Sequence, residues 1–238
     1  MVNTIKQHQE MGYDRSVGMF SPDGLLLQVE YAEKAVKLGS SVTALLTKEG
    51  IVFIGDRKIK SKLLVKDSFK KVFSVDNHIA VAGAGVMSDG RRLIEQAQVY
   101  AQEKRAKLDS EIDVLSLVKD IANIQQYYSQ AGGLRPFGVS LLVGGIQDSE
   151  PVLFQTTPAG MYMRYLAISV GSQSEKINEG LEKEYKENLS NKEAIKIGLK
   201  LYKEVLGEEY DISRFDVVTL DLKENLTRIS EKELKSLE

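Results

Sequence analysis

Residues 13–39 read YDRSVGMFSPDGLLLQVEYAEKAVKLG and precede the first recognisable strand of the chain. A segment in that place is not needed to start a core, so its dense turn and helix chemistry asks for another explanation. Ser21-Pro22-Asp23-Gly24 carries a type I turn signature, because proline fixes φ at the second position and glycine closes the fourth. Beyond it, the spacing of Leu25, Val29, Ala32 and Val36 predicts a helix with one apolar stripe. Glu30–Lys34 and Glu33–Lys37 are i,i+4 pairs in the favourable order, each worth only about 0.2–0.5 kcal/mol. Gly39 is placed to end the helix in the left-handed conformation. On pattern alone, the stretch reads as an ordinary amphipathic helix docked on a core.

The chain has 238 residues, enough for a sizeable core, and neither a fixed-period repeat nor a low-complexity linker interrupts it. Lys and Arg total 32 against 34 Asp and Glu, and the net charge of −2 argues against general nucleic-acid affinity. The absence of cysteine excludes disulfides and thiolate metal sites. No apolar run approaches the ~18 residues of a membrane span, and MVNTIKQHQE lacks the apolar region of a signal peptide. These features predict a cytoplasmic protein with no nucleic-acid or membrane partner. Residues 1–12, polar and without period, read as a mobile arm, and residues 13–238 as one domain.

Along that domain, Val42–Thr47 and Ile51–Gly55 flank Lys48-Glu49-Gly50 as a hairpin. Lys71–Val75 and His78–Ala82 flank Asp76-Asn77, a good two-residue turn. Helices are predicted over Ser88–Lys107, with Leu93, Ala97, Tyr100 and Lys104 as a face, and over Val114–Ser129, with Leu117, Ile121, Ile124 and Tyr128 inward. Strands return at Gly138–Ile146, Val152–Thr156 and Leu166–Val170. Ser190 and Glu193 form a capping box for the next helix, which Gly207 closes. Phe215–Leu222 is a last strong strand before a short charged helix. Paired helices alternating with antiparallel strand groups predict an α/β (α+β) fold of two packed sheets with helices outside.

Most catalytic constellations fail. His8 and His78 cannot build a zinc site without cysteines, so no metal or cofactor is expected. His78 alternates with Ile79 and Val81 and reads as a strand residue. Gly83-Ala84-Gly85 lies between strand and helix, but no Lys-Ser/Thr follows, so a tight turn is favoured over a phosphate loop. No GxSxG elbow occurs. The cations Arg57, Lys58, Lys60, Lys62, Lys66, Lys70 and Lys71 surround a single acid, Asp67. Most belong to a solvated loop. Lys71 differs because it opens the strand KVFSV, where a rigid backbone could aim its ammonium at a partner's C-terminal carboxylate. One such charge-assisted bond is worth about 1.5–3 kcal/mol.

The motifs YDR, FSPDG, QVEYA, GDRK, GGLRPFGVSLLVGG and EKEYKENLS extend over almost the whole chain, which through them resembles the proteasome α-subunits, especially the archaeal type. The resemblance implies a four-layer α/β/β/α sandwich, N-terminal nucleophile hydrolase-like. It also implies a non-catalytic subunit in a seven-membered ring that caps the β-subunits and controls entry of unfolded protein. In that family Tyr13, Asp14, Pro22 and Tyr31 would form the cluster that holds the gate open. Gly24, Gly39, Lys71 and Val86 would line a pocket between neighbouring α-subunits for the C-terminal tails of ATPase activators. The pore loop departs from the family's tyrosine-glycine-glycine: here Ala131-Gly132-Gly133 precedes Leu134-Arg135-Pro136, so the constriction should be wider or displaced. Val86 is smaller than the leucine of closer relatives.

Two alternatives remain beside that reading. Proteasome β-subunits use an N-terminal threonine, and by analogy Ser40 falls near the nucleophile, Asp56 near the supporting acid and Lys71 near the activating lysine. Ser40 is internal, however, and lacks the amine of a chain terminus. The other alternative is a passive ring scaffold without regulated opening.

Overall fold

A computed structural model describes residues 10–16, 18–59, 61, 63–65 and 68–237. His8, most of the predicted arm, and Lys60, Lys62, Lys66 and Asp67 of the basic cluster therefore lie outside the described residues, as does the side chain of Asp14.

The signature segment opens with the turn Ser21–Gly24, closed by the Gly24 amide donating to the Ser21 carbonyl at 2.8 Å. Helix α1 follows over Leu27–Leu38. Its buried residues are Leu27, Ala32 and Val36, so the stripe is anchored by Leu27, while Leu25 precedes the helix and is half-buried. Gly39 has an extended backbone and does not adopt the expected left-handed stop. A glycine is required there for a different reason: any Cβ would overlap the backbone of Gly85.

Strands β1 (Val42–Thr47) and β2 (Gly50–Asp56) form the predicted hairpin, followed by β3 (Val72–Asp76) and β4 (Ile79–Gly85). A register shift between Ser74 and Asp76 keeps Asp76 in β3. The turn is thus Asn77-His78, and His78 is a buried turn residue, not a strand residue. Helices α2 (Met87–Leu108) and α3 (Val114–Gln130) precede β5 (Val139–Gln147), β6 (Glu150–Thr156), β7 (Tyr162–Arg164) and β8 (Ala167–Val170). The remainder comprises α4 (Ser174–Glu184), α5 (Asn191–Leu206), β9 (Phe215–Asp221), β10 (Leu226–Arg228) and α6 (Glu231–Leu237). On α2 the inward face is Leu93, Ile94, Ala97 and Ala101, and Lys104 lies outside it.

The strands make two five-stranded sheets, ordered β10-β9-β2-β1-β8 and β3-β4-β5-β6-β7, with antiparallel pairing throughout. Between them, Phe53, Leu142, Leu153 and Val218 share one core. A second core joins the β3–β7 sheet to α2 and α3, and a third joins the other sheet to α4, α5 and α6. Strands covered on both faces need no polar face, which is why every residue of β1 and β2 is buried. The result is the expected four-layer order, helices–sheet–sheet–helices.

The capping box that starts α5 is present in full: the Ser190 hydroxyl accepts from the Glu193 amide, and the Glu193 carboxylate accepts from the Ser190 amide. Ser190→Ala should cost about 1 kcal/mol, read as a lower urea midpoint at unchanged slope.

Candidate functional site

Helix α1 packs on β4 and β5, and its C-terminal end brings Gly39 and Ser40 beside the start of β3. There Lys71 is completely buried. Its ammonium donates to the Ser40 carbonyl at 3.0 Å and contacts Met87 Sδ at 3.7 Å. Gly55 makes room for it, since a Cβ there would collide with Lys71 Cβ. The backbone is pinned by Asp216, which accepts the amides of Lys71 and Val72 at 2.8 and 3.2 Å and is paired with Arg228. Burial pushes the Lys71 ammonium down to about 8, and the charge of Asp56 offsets only part of that shift. Lys71 lies immediately before β3, which begins at Val72, one residue later than the predicted start at Lys71.

Asp56, almost entirely buried, does not face Lys71 as a ligand. It forms a bidentate pair with Arg214, at 2.7 and 2.8 Å, and accepts the Lys58 amide at 2.9 Å. Behind this layer the Tyr202 hydroxyl meets Thr43 Oγ1 at 3.0 Å, and burial pushes it up to about 12. Ser40 contributes its carbonyl to Lys71, and its nitrogen lies in the peptide bond to Gly39. Ser40, Asp56 and Lys71 are therefore neighbours in the fold but do not make a nucleophile–base pair in the uncut chain.

Of the predicted pocket, Gly39, Lys71 and Val86 come together: Gly39 packs on Gly85, Val86 follows it, and the next residue, Met87, touches the lysine ammonium through its sulfur. Gly24 does not join them. It stands before the N-terminus of α1 with φ +75°, whereas Gly39 follows its C-terminus. Twelve helical residues separate them, about 18 Å along the axis. One copy of the chain thus supplies the two parts of the predicted pocket at widely separated points.

Tyr13 belongs to a short 3-10 turn, Tyr13–Arg15, that lies against α1. Tyr31 is on α1, with Lys34 Nζ 5.4 Å from its ring centroid, and Pro22 is exposed in the turn before the helix. In the loop after α3, Gly132 and Gly133 are exposed. Ala131 caps α3 through its amide to the Tyr127 carbonyl. Arg135 is fixed by a bidentate pair with Asp89 at 2.6 and 2.8 Å, and Asp89 also accepts the Gly138 amide at 3.0 Å. Burial alone would raise the Asp89 carboxyl, but Arg135 and the Gly138 amide outweigh it and hold it low. Met87 and Asp89 were not singled out from sequence. Their partners are 16 and 46 residues away, beyond any local pattern.

A family model described as "Proteasome subunit" matches residues 36–220, which is most of the sandwich. A second, the N-terminal signature of A-type proteasome subunits, matches residues 13–35, the turns and most of α1. The proteasome alpha subunit of Archaeoglobus fulgidus is 40% identical over 231 residues, spanning 95% of this chain and 92% of that protein. The proteasome alpha 2 subunit of Haloarcula marismortui is 39% identical over 97% of this chain and 95% of its own length. The Picrophilus torridus proteasome alpha subunit is 36% identical, over 96% and 97%. The two sheets flanked by helices are thus the N-terminal nucleophile hydrolase-like sandwich of proteasome subunits. The chain belongs to the proteasome α-subunit family, the non-catalytic type of proteasome subunit.

Proposed function

We propose that this chain forms the outer seven-membered ring of a cytoplasmic proteasome core particle. There it contacts β-subunits, gates entry of unfolded protein and docks the C-terminal tails of ATPase activators. The observation that carries this reading is the separation of Gly24 from Gly39, Lys71 and Val86 by the length of α1. A pocket that uses all four residues must be completed by a second copy, and head-to-tail contacts that close on rotation make a ring.

Opening is a population shift. A tail carboxylate that reaches Lys71 acts at the C-terminal end of α1, and the same helix carries Tyr31 and leads back to Pro22. Tail binding favours the arrangement in which Tyr13, Asp14, Pro22 and Tyr31 pack together and residues 1–12 leave the pore. It does so only through higher affinity for that state. Residues 131–135 line the entry, with Arg135 held in place by Asp89.

Deleting residues 1–12 should speed hydrolysis of an unfolded protein by the assembled particle at least severalfold, with a smaller effect on a short peptide. One observation favours a second reading, a passive ring scaffold: Lys71 is completely buried, with its ammonium against the Ser40 carbonyl and Met87 Sδ, so a tail must open that packing to reach it. Unchanged rates after the deletion would select the scaffold.

A further inference from the structure

The ammonium of Lys71 is short of acceptors. For its three N–H groups, the acceptors found among the described residues are one oxygen, the Ser40 carbonyl at 3.0 Å, and one sulfur, Met87 Sδ at 3.7 Å. A thioether accepts only weakly, so a fully buried cation rests on a single good hydrogen bond. Little of the hydration it loses on burial is replaced, in keeping with its weakened hold on the proton.

Met87 stands where it can change this. It is the first residue of α2 and follows the exposed Val86, and its side chain is only half-buried. Met11, Met19, Met161 and Met163 are more exposed, and Met163 Sδ meets the neutral hydroxyl of Tyr165. Among the described methionines, Met87 alone has its sulfur against a cation.

One added oxygen fits the observed distance. In a sulfoxide the oxygen lies about 1.5 Å from sulfur, and a charge-assisted N–H···O bond is about 2.8 Å long. With 3.7 Å between sulfur and nitrogen, these lengths close a triangle whose angle at oxygen is about 115°, near a lone-pair direction. The strong acceptor that the ammonium lacks would therefore form at the separation already present.

We propose that Met87 is a peroxide-sensitive modification site, whose sulfoxide oxygen accepts from Lys71 and withdraws the ammonium from other anions. A sulfur lone pair attacks one oxygen of a hydroperoxide and the O–O bond breaks. The leaving oxygen takes the proton of the transferred hydroxyl, giving the sulfoxide and water or an alcohol. A further consequence rests on the docking reading: a tail carboxylate then competes with an acceptor inside its own pocket, and oxidation uncouples the ring from its activators.

The test treats the purified full chain with hydrogen peroxide, locates oxidised methionines by peptide mass, and titrates the Lys71 ε-methylene resonances before and after. Met87 should gain one oxygen while the chain stays folded. The Lys71 titration should then move up by about one pH unit or more, because the new bond favours the charged form. Met87→Gln, with an amide oxygen in place of the sulfoxide, should show the raised titration without peroxide. Met87→Leu, close in volume, should show no change with it. A Met87 that stays reduced while the exposed methionines oxidise, an unmoved Lys71 titration in the sulfoxide, or the same rise in Met87→Leu would each overturn the proposal. In the assembled particle, oxidation should lower tail affinity about tenfold at each site in the parent and not in Met87→Leu. Full stimulation of an oxidised particle whose Lys71 titration has risen would leave the modification site standing and overturn the docking reading.

Discussion

Lys71→Met should give a chain that folds more stably below pH 8 and no longer responds to activator tails. The folded ammonium titrates near 8, against 10.5 for an ordinary lysine. The folded chain therefore holds this proton less tightly than the unfolded chain does, and a charged Lys71 opposes folding most strongly below pH 8. As pH rises from 8 to 10.5 the unfolded chain loses its proton too, and the penalty fades. The shift amounts to about 3 kcal/mol, and losing the bond to the Ser40 carbonyl returns part of it. A net gain of about 1–2 kcal/mol at pH 7, vanishing toward pH 10.5, is expected in urea titrations of variant and parent. In the assembled particle the same change removes the one cation in the proposed pocket. Each site loses about 1.5–3 kcal/mol, and a ring of them loses docking altogether. ATPase-stimulated hydrolysis should fall to the unstimulated rate. Retained stimulation would place the pocket elsewhere.

Arg214→Met should destabilise the chain by about 3–5 kcal/mol, because it strands the carboxylate of Asp56 in the interior. Both oxygens of Asp56 accept from Arg214, and only the Lys58 amide would remain as a donor. The loss should show as a large drop in the denaturation midpoint, deepening as pH rises above the carboxylate range. Asp56→Asn/Arg214→Met should recover much of it, since the pair is then removed together. Equal stability of the single and double variants would contradict this account.

The parts of the fold that sequence reveals are those whose cause is local. The Ser190 capping box, the Lys48–Gly50 hairpin and the long helices α2 and α3 all carry their signals within a few residues, and all are present, although Lys104 falls outside the inward face of α2. Where the cause is distant, the pattern misleads. Leu25, Leu26 and Leu27 are equally apolar, so the phase of α1 is set by the sheet it meets and not by the run itself. Gly39 fits an ordinary helix stop, yet its reason lies in the backbone of Gly85. Helix α4 escapes notice because only Ile177 and Leu181 are buried among charged neighbours, and β7 and β10 are three residues each. The site divides in the same way. The basic cluster before KVFSV marks Lys71 and the GGLRPFGVSLLVGG motif marks Arg135, but their contacts with Ser40, Met87 and Asp89 arise only from the packing of β3, α2 and the loop before β5.

Helix α1 keeps its two glycine flanks a helix length apart, and on the proposed reading this has a consequence for the order of events in the cell. A lone protomer offers an activator half a foothold at each end of that helix and a complete one at neither. Recognition then waits for neighbours to arrive, so a motor that binds has already verified that the barrel is closed.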